Sequence, residues 1–149
     1  MWRRQWHQGE NLKNDLKSRL ETIETLVSKV EERSPQRVAE YRERLYQKIS
    51  EVLSNTSIDE TRIVTEAAIF ADKIAVDEET VRLKSHIGQF REILELSEPI
   101  GRKLDFLILE FNREANTIGS KCQDAEGARV VVDIKSEIEK IREQVQNIE

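Results

Sequence analysis

The sequence is poor in the residues that make tight turns, disulfides and membrane spans. Of its 149 residues, five are glycine, two are proline and one is cysteine, and aromatic residues contribute only 5%. So few glycines and prolines leave little material for the turns of a sheet protein. No apolar run approaches membrane-spanning length, and the opening MWRRQWHQGE is too polar for a signal peptide. These absences predict an all-helical protein, cytoplasmic and without contact to a membrane.

Several functional classes are excluded by missing motifs. The chain has no Walker loop, no Rossmann glycine pattern, no serine triad and no zinc-finger spacing. We therefore expect no small-molecule cofactor. The single cysteine, Cys122, cannot form an intrachain disulfide and is interpreted as a small helix residue in a reducing compartment.

The charge pattern indicates long exposed helices and limits how nucleic acid could be bound. Charged residues make up 36% of the chain and hydrophobic residues 38%, so some apolar surface is expected to await a partner chain. A net charge of −5 argues against a protein that coats nucleic acid by bulk electrostatics. It does not argue against a nuclease, because a carboxylate-lined metal site is itself negative and basic residues need only be local.

Hydrophobic periodicity predicts an elongated bundle of about six helices that begins with a hairpin. The first helix is expected from Gly9 to Arg33, where Ser34 and Pro35 should stop it and start the second. These two helices are expected to form a projecting, coiled-coil-like antiparallel hairpin. The interpretation divides the chain into a hairpin arm, residues 1–56, and a helical domain, residues 57–149.

Four further helices are predicted in the second part. The third should turn Ile63, Ala67, Phe70 and Ile74 inward and end before an N-cap at Asp77. The fourth should bury Leu83, Ile87, Phe90 and Leu94. The fifth begins near Gly101. The last is expected from roughly Asp124 to Asn147. Its β-branched residues recur at spacings of three and four and form a seam, which could pack on the first helix or on another subunit. The residues of this seam are Val131, Ile134, Ile138, Ile141, Val145 and Ile148.

The fifth helix, Gly101 to Lys121, carries polar residues in an order that helix formation alone does not require. Its apolar stripe is Leu104, Ile108, Phe111, Ala115 and Ile118, and beside it run Lys103, Glu110, Glu114, Thr117 and Lys121. Glu110 and Glu114 lie one turn apart at the margin of the buried face, where they could share a divalent cation. The alternative is a solvated helix with i,i+4 ion pairs.

Two other polar residues bear on this hypothesis. His86 lies beside the apolar face of the fourth helix. It is interpreted as a polar boundary residue, as a metal ligand, or as a general acid or base. Neutral imidazole suits manganese better than magnesium. Asp105 points roughly 140° away from Glu110 on an ideal helix, so one ion could not easily contact both. Asp72 and Asp77 are interpreted as cap and surface charges.

Four segments also resemble a known family. DEETVRLKSHIGQF, GRKLDFL, NREANTIGSK and IEKIREQVQNIE, in this order, are similar to motifs of the bacterial YicC/YloC family. The resemblance implies a metal-dependent endoribonuclease that cuts single-stranded RNA and assembles as a ring-like homo-oligomer, a hexamer in at least one case. The family's N-terminal half is absent here, and Leu109 stands where the family usually has glutamine.

Together, residues and resemblance predict a site centred on the fifth helix. Catalytic and metal-binding roles are expected for His86, Glu110 and Glu114, with manganese or magnesium as the cation. RNA contacts are expected for Arg102, Lys103, Arg113, Asn116 and Lys121. No aromatic platform for base stacking is predicted among them, although Trp2 and Trp6 could supply one. The alternative function is a non-catalytic helical oligomerisation or adaptor module.

Overall fold

Four α-helices form the part of the chain that the computed structural model describes. They are α1 (Trp2–Ser54), α2 (Glu60–Leu94), α3 (Gly101–Lys121) and α4 (Ala125–Ile148). The backbone is described for residues 2–54, 60–96, 101–122 and 124–148; within these, side chains 2–10, 33–39, 41, 52, 53, 60 and 148 are outside the description. None of the described helices is long and apolar enough to cross a membrane.

The helices pack in a ring in which each contacts the two beside it. α1 packs on α2 and α4, and α3 packs on the same two helices from the other side. Three ion pairs join α1 to α2 in reverse order along the chain: Glu24 with Arg91, Glu31 with Lys84, and Lys48 with Glu66. α1 and α2 are therefore antiparallel along most of their length, as in an up-and-down bundle.

The core lies where all four helices run side by side. Its fully buried members are Leu16, Leu20, Ile23, Val27, Leu83, Ile87, Phe90, Leu104, Phe111, Ala115, Ile118, Ile134, Ile138, Ile141 and Val145. The apolar faces predicted for α3, for α4 and for residues 83–94 are confirmed. The α4 seam packs on α1 and α3 of the same chain, which is the intrachain alternative.

The predicted break at Ser34 and Pro35 is wrong, because α1 continues through both residues. A proline inside a helix removes one hydrogen bond and costs about 3 kcal/mol, which weakens a helix but does not exclude it. α1 is anchored on both sides, by Val27 in the core and by Lys48 on Glu66. The antiparallel hairpin therefore consists of α1 and α2, and its connection, residues 55–59, lies outside the described residues.

The predicted helix boundary at Asp77 is also wrong, because Asp77 lies inside α2. The sequence there contains neither glycine nor proline, so nothing prevents the helix from continuing. Burial, followed by the nearby charge of Glu31, raises the pKa of the Asp77 carboxyl. The third and fourth predicted helices are thus one, and the predicted count of six becomes four in the described chain.

The first half of α2 and the second half of α1 extend beyond the core. An α-helix rises 1.5 Å per residue, so α1 is about 80 Å long and α3 about 30 Å. Among the described side chains of residues 40–54 and 61–75, here called the α1–α2 arm, none is buried. Ile74 and Ala67, predicted to point inward, are exposed. The prediction of an all-helical protein is confirmed, and the part that projects is built from α1 and α2 rather than from two helices within residues 1–56.

Candidate functional site

Glu114 and His86 form a hydrogen-bonded pair between α3 and α2. Glu114 stands between the core residues Phe111 and Ala115, and its side chain is only 2% exposed. His86 precedes the core residue Ile87. The His86 Nδ1 atom lies 2.8 and 2.7 Å from the two carboxylate oxygens of Glu114. A helix face that is otherwise apolar thus brings one carboxylate into contact with an imidazole on the neighbouring helix.

Glu110 completes a cluster of three potential metal ligands. It lies one turn before Glu114 on α3 and is half-buried. His86, Glu110 and Glu114 each offer one ligand atom, and these atoms all lie within 4.8 Å of one another. The structure therefore brings together, from α2 and α3, the three residues that were predicted to form the site.

The electrostatics of the cluster disfavour an ionised Glu114. Burial is the main cause that raises the pKa of the Glu114 carboxyl. The hydrogen bond and charge of His86 act in the opposite direction, while the charges of Glu110 and Glu79 raise that pKa further. A bound cation would favour the ionised form of Glu114 that this environment otherwise disfavours.

The hydrogen bond links the tautomer of His86 to the ionisation state of Glu114. An ionised carboxylate only accepts hydrogen bonds, so with Glu114 ionised the proton of the neutral imidazole is on Nδ1. The lone pair is then on Nε2, and the His86 side chain is 21% exposed. A carboxylate that orients a histidine in this way is common around metal sites and in proton transfer.

Packing near the pair fixes the spacing of the two helices. Phe90, one turn after His86, contacts Phe111, which lies three residues before Glu114. The ring centroids are 5.6 Å apart with an interplanar angle of 31°, and both side chains are fully buried. This aromatic contact holds α2 and α3 at the distance that the His86–Glu114 hydrogen bond requires.

One imidazole nitrogen and two carboxylates fit a divalent cation of intermediate softness. Manganese accepts this donor set readily, while magnesium prefers oxygen ligands alone. Asp105 is exposed and is not part of the cluster, in agreement with the prediction that it points away.

The predicted RNA-binding residues divide into two groups. Arg102, Lys103, Arg113 and Asn116 are all exposed on α3. Lys121 lies two turns beyond Glu114, and its Nζ is 3.5 Å from Asp72 Oδ1 on α2. Asp72 is therefore an ion-pair partner rather than a helix cap. The side chains of Trp2 and Trp6, the predicted alternative for base stacking, lie outside the described ones.

Lys121 also borders an open pocket that the sequence did not reveal. The pocket has a volume of about 410 Å³, and all four helices contribute to it. Val76, Ile118 and Val130 are apolar parts of its lining, and Lys29, Lys73, Lys121 and Cys122 are among the polar ones. Residues so far apart along the chain carry no shared spacing that could have indicated it.

Phe106 is the residue of this region that sequence reasoning missed. Its side chain is 59% exposed on α3, so an aromatic ring does accompany the basic residues. The predicted RNA contacts include no aromatic residue at this position. Arg102, Phe106, Leu109 and Arg113 follow one another at intervals of four, three and four residues, so they share one face of the helix. Because that face carries two arginines, the spacing could have placed Phe106 on the outward side of α3.

Comparisons with known proteins show what this chain is similar to. The family model for the C-terminal region of YicC-like endoribonucleases matches residues 30–149. A probable endoribonuclease YicC of Clostridioides difficile is 49% identical over 143 residues, which cover 95% of this chain and 49% of that protein. The protein of the same name from Haemophilus influenzae is 37% identical over 142 residues, again 95% of this chain and 49% of the relative. The chain thus spans about half the length of these curated relatives.

Proposed function

Because this chain belongs to the YicC-like endoribonuclease family and matches the family's C-terminal region, we propose that this region of the protein cleaves single-stranded RNA. The cleavage depends on a divalent cation, manganese or magnesium, held by His86, Glu110 and Glu114. The observation that carries the proposal is the cluster of three ligand atoms within 4.8 Å, built around a carboxylate that is almost fully buried. A surface ion pair would not require a glutamate at a core position.

Each residue of the cluster has a role that follows from its position. A divalent cation supplies charge stabilisation for the phosphorane-like transition state and lowers the pKa of water. Glu114 orients His86 through Nδ1, so that Nε2 faces either the cation or a proton in transfer. Glu110, half-buried, contributes the second carboxylate from the outward side of α3.

Exposed basic residues on α3 suit the RNA backbone although the chain as a whole is acidic. Arg102, Lys103 and Arg113 carry exposed cationic groups of the kind that bind phosphate oxygens, and Lys121 lies farther along the same helix. Asn116 can bind a base edge or a ribose hydroxyl. The local positive charge lies on the helix that carries both carboxylates, so affinity for RNA does not depend on the net charge of −5.

A second function is favoured by the apolar surface of the α1–α2 arm. Tyr46 is 74% and Val64 67% exposed, and Ile49 and Ile74 are about 40% exposed. This surface is suited to contacts between copies in a homo-oligomer such as a hexamer, or to an adaptor module without catalysis. The catalytic and adaptor functions differ in whether the assembled protein cuts RNA.

We expect the purified protein to cut an end-labelled, unstructured RNA internally with manganese, more slowly with magnesium, and not at all with excess EDTA. The physical reason is that the mixed nitrogen and oxygen donor set suits manganese better. Denaturing gel electrophoresis of the products measures this. A folded oligomer, established by circular dichroism and sedimentation velocity, that cuts nothing with either metal would contradict catalysis and support the adaptor function.

Metal binding is also expected to raise the melting temperature. At neutral pH and manganese at about 100 times its Kd, binding to the folded state adds about 2.7 kcal/mol, or roughly 5 to 10 °C for a chain of this size. Glu114→Gln should lose most of this shift. Differential scanning fluorimetry measures it, and equal shifts in both proteins would place the cation elsewhere.

The same melts without metal test the raised pKa of Glu114. A carboxyl whose pKa is raised on folding stabilises the folded state below its unfolded-state pKa, about 4.3, and this contribution is lost as the pH rises through the folded-state value. In EDTA, the melting temperature of the wild type minus that of Glu114→Gln should therefore fall from pH 4 to pH 7. A difference that rises instead would contradict the raised pKa.

A further inference from the structure

Phe106 exposes a large aromatic ring at the centre of the outward face of α3. Its neighbours Leu104 and Leu107 are both buried, whereas the Phe106 side chain is 59% exposed. An aromatic ring exposed to water gives up the favourable free energy that burial would provide. A ring held at this position is therefore suited to binding a ligand.

Two arginines and a leucine share a line with Phe106 on this face, and the carboxylates of Asp105 and Glu110 lie on either side of that line. Arg102, Phe106, Leu109 and Arg113 follow one another at spacings of four, three and four, and so form one line on the helix, here called the Phe106 stripe. Leu109 is 67% exposed, and both arginines are exposed. The stripe therefore presents an apolar centre between two guanidinium groups.

The stripe lies directly beside the proposed metal site. Glu110 follows Phe106 by four residues, which places it one turn along the helix and about 40° around it. A group that lay on the Phe106 ring would therefore be one helical turn from a ligand of the cation.

The charges of the stripe fit a nucleic acid better than a second copy of the chain. Unstacked bases lie on aromatic rings while arginine binds the phosphates beside them, and the stripe offers both groups in this order. In a two-fold symmetric contact of the stripe with itself, Arg102 of one copy would lie against Arg113 of the other, which like charges disfavour.

We propose that Phe106 is a base-stacking residue: one unpaired base of the RNA lies on its ring, while Arg102 and Arg113 bind phosphates on either side. The proposal rests on the proposed function, because it takes single-stranded RNA as the ligand of α3. Stacking on a ring tolerates every base, so this contact selects unpaired over paired RNA and does not select sequence. It gives the site a means of choosing substrate that the metal ligands do not provide.

Binding of a fluorescein-labelled, unstructured RNA in EDTA, followed by anisotropy, tests the stacking without cleavage. Phe106→Ala should weaken binding about 5- to 150-fold, the range for loss of one stacked base, and Phe106→Trp should restore it. Val132→Ala is the matched control, because Val132 is a large apolar residue of similar exposure, 64%, on α4. Unchanged binding by Phe106→Ala, or a change in its sedimentation coefficient, would overturn the proposal.

A series of RNAs with one abasic ribose at successive positions then locates the contact. The wild type should lose affinity at one position only, and Phe106→Ala should be insensitive to that position. Equal sensitivity of both proteins at every position would overturn the stacking. If the wild type cuts RNA with manganese while Phe106→Ala binds and cuts equally well, only the stacking fails. If the wild type shows Phe106-dependent binding but never cuts, only the proposed function fails.

Discussion

Glu114→Gln is expected to lower metal-dependent RNA cleavage by about 10²- to 10⁴-fold, the range for loss of a group that positions a proton or a metal ion. Glutamine has almost the size of glutamate, so it fits the same buried position on α3. It has no negative charge, so it cannot hold a cation as the carboxylate does. Initial rates on an end-labelled RNA with manganese measure the loss.

The fold should survive this substitution. The glutamine side-chain oxygen can still accept a hydrogen bond from His86 Nδ1, which is 2.7 to 2.8 Å from the native carboxylate oxygens. The helical circular-dichroism signal should therefore be unchanged. Glu139→Gln is the control, because Glu139 pairs only with the solvent-exposed Arg142 one turn away among the contacts described. Cleavage retained by Glu114→Gln, at the rate of Glu139→Gln, would remove the central role of Glu114.

Phe111→Ala is expected to lower the free energy of unfolding by about 3 to 5 kcal/mol, the usual cost of deleting a buried phenylalanine side chain. The Phe111 ring is fully buried and packs on Phe90, so its loss leaves a cavity between α2 and α3. Urea denaturation followed by circular dichroism measures the change.

A matched substitution two residues away separates packing from helix propensity. Leu109→Ala also replaces a large apolar residue of α3, but Leu109 is 67% exposed, so the cost should stay within about 0.5 kcal/mol. Equal losses in the two variants would mean that the α2–α3 contact does not depend on the aromatic pair. Because Phe111 lies three residues before Glu114, the larger loss should be accompanied by weaker manganese binding at the cluster.

The candidate site could be predicted from sequence to the extent that helical periodicity determines it. The bounds of α3, its buried face and the positions of Glu110 and Glu114 all follow from one regular helix. His86 could be placed only on its own helix. Its contact with Glu114 depends on the packing of α2 against α3, which no spacing along one helix encodes. The resemblance to a family supplied the reason to consider the three residues together.

The wrong predictions come from residues whose local preference is overridden by packing. Pro35 and Asp77 are strong signals for a helix start, and both lie inside long helices. Each signal changes the local free energy by a few kcal/mol at most, which contacts along the neighbouring turns can offset. Phe106 was missed for a different reason, since it lies outside both the apolar stripe and the polar residues on which the prediction for this helix was based.

The α1–α2 arm divides the molecule into two regions that should not open together. The four-helix part has a shared core, so its backbone amides are expected to exchange hydrogen only when the whole bundle unfolds. The described part of the arm has no buried side chain and is linked across its helices by contacts such as that of Lys48 with Glu66. Its amides should therefore exchange through local openings of much lower free energy. A partner that covers Tyr46 and Val64 would convert this independent unit into part of one cooperative structure.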